Sequence, residues 1–74
     1  VNLNRLDQAF EAGAVVDPQS LAETGLVRRA NLPIKILATG EISKSLTVKA
    51  HQFSTAAKQK IEAAGGTTEV IARA

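Results

Sequence analysis

Seventy-four residues with a 45% apolar share specify one small domain with a thin core, because a chain of this size buries only about 60% of the surface it exposes when unfolded. With no Cys, Trp or Tyr, and only Phe10 and Phe53 aromatic, the chain has no disulfide framework, thiol nucleophile or cysteine metal site, and it lacks the aromatic platforms on which single-strand binders stack successive bases. The net charge of +2 conceals an asymmetry: residues 1–24 carry −3, residues 25–60 carry +6 and the remainder −1.

Val1-Asn-Leu-Asn4 reads as a short strand running into a helix, with Asn4 able to cap the first turn and Asp7 near the positive end of the helix dipole. Gly13 ends that helix early. Asp17-Pro18-Gln-Ser-Leu-Ala-Glu-Thr-Gly25 specifies a second helix of barely two turns, with Asp17 at the cap, Pro18 at the first position and Gly25 past the end. Ile34-Lys-Ile-Leu37 reads as a strand stopped by Thr39-Gly40. Leu46-Thr-Val-Lys-Ala-His51 alternates, placing Leu46, Val48 and Ala50 on one face and Thr47, Lys49 and His51 on the other. Ser54 caps a helix whose Ala57, Ile61 and Ala64 form an apolar stripe, and Gly65 stands where a left-handed C-cap is wanted. Thr67-Thr-Glu-Val-Ile71 closes the chain as a strand. The expected fold class is α/β: a single compact domain of short strands and short helices, residues 1–74, with a small mixed sheet.

Catalysis and metal binding find little support. His51 is the only histidine, and a catalytic imidazole needs an orienting carboxylate and a nucleophile or substrate-holding group in reach. Asp17 and Asp7 serve helix starts, and Glu62 flanks Lys58 on a helix. Ser54, three residues on, stands before an Ala-rich segment, where an N-cap is the expected role. A lone His without Cys or clustered carboxylates provides no ligand set, so neither a catalytic residue nor a cofactor is expected. Gly65-Gly66 follows a helix, at the dipole end that disfavours anions. The longest apolar runs are far short of the roughly 20 residues that cross a bilayer, so no membrane partner is expected, nor a small-molecule substrate.

A contact surface for an anionic partner is the reading with most support. Thr47, Lys49 and His51 are expected to project together, with Lys44 just before them and the N-terminus opened by Ser54 nearby. Arg28, Arg29 and Lys58 extend the basic middle. Ammonium groups, a hydroxyl, an imidazole and helix N–H groups together suit phosphate oxygens. Without aromatics or a recognition-helix motif, the contact would be to backbone and shape, as on folded double-stranded RNA. A solvated strand face, a neutral histidine supporting the fold, and a module whose basic face docks an acidic protein remain open alternatives.

Lys35-Ile-Leu-Ala-Thr-Gly-Glu-Ile42, then Leu46, Val48, Phe53-Ser54, Ala57, Ile61 and Gly65, resemble the family of the fifteenth protein of the large ribosomal subunit, bacterial type. The opening Val-Asn-Leu-Asn-Arg-Leu6 and the stretch Ala-Ala-Gly-Gly-Thr-Thr-Glu-Val-Ile71 are similar to the same family. Departures are Ala38, where glycine is common, and Asn4, where aspartate is common. The resemblance implies a C-terminal α/β domain of a longer protein whose basic, Gly-rich N-terminal extension this chain lacks. It also implies binding to large-subunit ribosomal RNA, contact with neighbouring ribosomal proteins, a role in subunit assembly, and residence on a cytoplasmic or organellar ribosome.

Overall fold

A computed structural model describes residues 1–29 and 33–71; Arg73, counted above in the charge balance, lies outside them. The elements are α1 (Leu3–Ala9), β1 (Val15–Val16), α2 (Pro18–Glu23), β2 (Lys35–Ile36), β3 (Thr47–Ala50), β4 (Gln52–Phe53), α3 (Thr55–Ala63) and β5 (Thr67–Val70). The expected α/β class holds, and the Cα radius of gyration of 10.8 Å matches the ~11 Å of one compact domain of this length.

The caps explain why the helices are so short. Asp17 accepts the Ser20 N–H at 2.7 Å while the Ser20 hydroxyl accepts the Asp17 N–H at 2.9 Å, a reciprocal box around Pro18. Gly25 leaves α2 in the left-handed region, which costs a glycine little. Ser54 Oγ accepts the Ala57 N–H at 3.2 Å and starts α3. At the first helix the expected cap is displaced by two residues: Asn2 occupies the N-cap and its side chain makes no capping bond. Asn4 lies in the first turn instead, against Gly40, whose missing Cβ leaves room for the Asn4 side chain.

The strands form two sheets, β1-β3-β5 and β2-β4, in place of one small mixed sheet. Every strand pairing among the described residues is parallel. Parallel neighbours need a crossover connection, and α3 supplies it between β3 and β5. The expected opening strand is reduced to a single parallel bridge, Asn2 to Leu37, at the edge of β2. Val15–Val16, a strand not expected from the sequence, pairs with Thr47 and Val48. The stretch 46–51 is not one strand: β3 stops at Ala50, His51 forms a bend, and β4 starts at Gln52 in the other sheet. The cause is Ile34, whose carbonyl accepts both the His51 and Gln52 N–H groups at 3.0 Å and draws the chain across.

The core lies where α1 and α3 meet the sheets. Leu3 and Leu6 from α1, Val48 and Ala50 from β3, and Ala57 and Ile61 from α3 are fully buried. Ala64 packs half-buried at the rim of that cluster. Gly66 brings the start of β5 against β3: a Cβ there would strike the Leu46 carbonyl oxygen, and the neighbouring Thr67 N–H donates to that same oxygen at 3.0 Å.

Candidate nucleic-acid interface

Strand β3 is central in its sheet, so its outward side chains have neighbours on both sides. Thr47 and Lys49 are half-buried on the face opposite Val48 and Ala50. Lys49 stands in register with Glu69 of β5, and its Nζ lies 3.6 Å from the Glu69 carboxylate. Much of the Lys49 charge is therefore balanced within the sheet.

Lys44 does not extend that face. Its ammonium donates to the carbonyl oxygens of Asp7 at 2.6 Å and Phe10 at 2.9 Å, where the last carbonyls of α1 lack helical partners. The Asp7 carboxylate in turn accepts the Ser43 N–H at 3.0 Å and the Lys44 N–H at 3.2 Å. The bond from the Ser43 backbone leads in holding the Asp7 carboxyl below the usual carboxylate range, with smaller help from the Lys44 N–H, the Ser43 hydroxyl and the Lys44 charge. Lys60, on α3, is engaged similarly: its ammonium donates to the carbonyls of Ala38 at 3.2 Å and Gly40 at 3.1 Å, beside Glu41 at 3.5 Å.

His51 leaves the Thr47–Lys49 face at the bend. Its Nδ1 accepts the Ile34 N–H at 2.9 Å, which places the proton of the neutral ring on Nε2. Beside it, Gln52 is in parallel register with Lys35, and both side chains are exposed. Pro33, Ile34, Lys35, His51, Gln52 and Ile71 line a cleft of about 290 Å³ there. Lys35 and Gln52 are contact candidates that sequence reasoning passed over. The signal for Lys35 was present, as a cation between Ile34 and Ile36 on an alternating strand; nothing local marked Gln52, because the partner that sets its register is β2.

The chain then enters α3 directly. The Ser54 N–H donates to the Ile36 carbonyl at 3.0 Å, so the start of the helix adjoins the β2–β4 pair. The Ser54 hydroxyl is occupied by its capping bond, while the Thr55 and Ala56 N–H groups have no acceptor among the described residues. Lys58 is exposed one turn into the helix. Arg28 and Arg29 are exposed after α2. No hydrogen bond or ion pair among the described residues engages the side chains of Arg28, Arg29, Lys35 or Lys58. The cations of the basic middle thus divide: Lys44, Lys49 and Lys60 serve the fold, and these four face outward.

Among the described residues no group of three or more His, Asp or Glu side chains gathers as a metal site, and no helix is long and apolar enough to cross a membrane.

These features define a small α/β domain with an outward basic surface and no assembled reaction centre among the described residues. Residues 1–69 match the model of a family of ribosomal proteins that takes in 50S-L15, 50S-L18e and their 60S counterpart, and the chain belongs to that family. It is 58% identical over 71 residues to the large ribosomal subunit protein uL15 of Syntrophotalea carbinolica, a match that takes in 96% of this chain and 48% of that relative. The chain therefore spans about half the length of the curated relative it matches.

Proposed function

We propose that the chain is a structural constituent of the large ribosomal subunit. It binds large-subunit ribosomal RNA through phosphate contacts, supports subunit assembly, and carries out no catalysis. The observation that carries this reading is the 58% identity to a large-subunit protein across nearly the whole chain. The exposed, unengaged side chains of Arg28, Arg29, Lys35 and Lys58 support it physically, since outward cations without internal partners can release counterions from phosphates. Thr47, Lys49, His51 and the start of α3 at Ser54 belong to the same proposed surface, whereas Lys44 acts through the fold. The domain is the C-terminal part of a longer protein, in keeping with its share of the relative's length.

Neighbouring ribosomal proteins are proposed partners as well. The open face of β1-β3-β5 combines the self-neutralised Lys49–Glu69 pair with Val15, which is 48% exposed. Such a face suits a protein surface better than a polyanion.

The test is binding of the 74-residue chain to large-subunit ribosomal RNA in competition with transfer RNA. Preference for the ribosomal RNA is expected; equal competition by transfer RNA removes the specific assignment.

A further inference from the structure

The cleft between β2 and β4 has a use that phosphate contacts leave unassigned. Its volume of about 290 Å³ is at the lower end of the roughly 300–1,000 Å³ of small-ligand pockets, the scale of one flat ring system. Its lining pairs apolar groups, Pro33, Ile34 and Ile71, with three polar side chains of distinct chemistry, Lys35, His51 and Gln52.

The polar groups are preorganised to different degrees. The His51 ring is pinned by the Ile34 N–H on Nδ1, so its remaining hydrogen-bonding group is the Nε2–H donor. The ring is also the one aromatic plane in the lining, and imidazole is among the side chains on which unstacked bases rest. Gln52 offers a carboxamide with both donor and acceptor, the complement of a base edge. Lys35, held beside it by the parallel register, supplies a cation for the attached phosphate.

We propose that this cleft takes a single base extruded from folded RNA, with His51 as the stacking and donor group, Gln52 reading the base edge and Lys35 on the adjoining phosphate. The proposal rests on the RNA-binding reading above and adds a base-recognition site to it. A scarcity of aromatic residues excludes a platform for successive bases, but one base needs only one ring.

The experiment compares two RNA hairpins of equal length, one fully paired and one with a single bulged nucleotide, for binding to the 74-residue chain at fixed salt. Bulged RNA is expected to bind about 10-fold more tightly, the scale of one stacked base. Gln52→Ala, at an exposed position, should remove several-fold of that preference while leaving the affinity for paired RNA unchanged. His51→Ala should do the same, with circular dichroism checking the fold because Ile34 loses its acceptor. Equal binding of the two hairpins, or a preference untouched by Gln52→Ala, overturns the base site while leaving RNA binding standing. Failure to bind either hairpin or ribosomal RNA overturns both readings. Titration with adenosine monophosphate separates the remaining source: a free nucleotide that binds as tightly as the bulged RNA makes the cleft a mononucleotide site and overturns the assignment.

Discussion

Lys44 and Asp7 hold each other twice: the Lys44 ammonium donates to the Asp7 carbonyl at 2.6 Å, and the Asp7 carboxylate accepts the Lys44 N–H at 3.2 Å. This clasp fastens the end of α1 to the loop that leads into β3. A lysine that reads as surface charge in the sequence is therefore a helix-end ligand. Lys44→Met keeps the aliphatic stem and removes the bonds. It should lower stability by about 1.5–3 kcal/mol, the range for hydrogen bonds to charged groups, with the thermal midpoint falling about 4–8 °C per kcal/mol in a domain of this size. The salt dependence of RNA binding should stay as it is. A normal melt with a reduced salt slope would return Lys44 to the contact surface.

Asp7 gives the same clasp a pH signature. Its carboxyl titrates below the ordinary range because its charged form accepts the Ser43 and Lys44 N–H bonds. A depressed folded-state pKa contributes stability that is complete above the unfolded value, near 4, and is lost as pH falls through the lower folded value. Urea midpoints of wild type and Asp7→Ala should therefore differ clearly at pH 6 and converge toward pH 2. A gap that persists at low pH would assign the effect to packing.

The division of cations predicts unequal effects on RNA binding. Arg28→Ala combined with Arg29→Ala should lower the salt slope by about two units, near 0.9 for each lost phosphate contact. Lys49→Ala should lower it by at most one, because Glu69 already faces Lys49 at 3.6 Å. Its effect on stability should stay within the 0–1 kcal/mol of exposed pairs. Filter-binding isotherms across a salt series decide between the two sites.

Ala57 is fully buried on α3, so Ala57→Asp puts an unpaired carboxylate into the core. Such a charge costs several kcal/mol, comparable with the whole stability of a small domain, about 0.05–0.15 kcal/mol per residue. Loss of the cooperative thermal transition is expected. A sharp transition within a few degrees of wild type would place α3 outside the core.

What the sequence disclosed was mostly local chemistry. Asp17-Pro18 and Gly25 bound α2, Ser54 and Gly65 bound α3, and the alternation around Val48 marked β3, because each depends on residues within one turn or one strand. Features set by distant partners were not legible. Val15–Val16 is a strand only because β3 lies beside it, the break at His51 depends on the Ile34 carbonyl, and Asn2 displaces Asn4 as the cap because Leu37 and Thr39 anchor the chain there. The candidate surface follows the same rule. Arg28, Arg29 and Lys58 were readable as exposed charge, while the inward turn of Lys44, the Glu69 partner of Lys49 and the cleft around Lys35 and Gln52 are products of tertiary register.

The most direct measurement is the affinity of the 74-residue chain for large-subunit ribosomal RNA from 50 to 200 mM salt, with transfer RNA as control. With three or four phosphates neutralised, affinity should fall roughly 20- to 150-fold across that range, and the preference for ribosomal RNA should hold at each step. An affinity flat in salt, or no preference over transfer RNA, would contradict a domain that recognises ribosomal RNA through its outward cations.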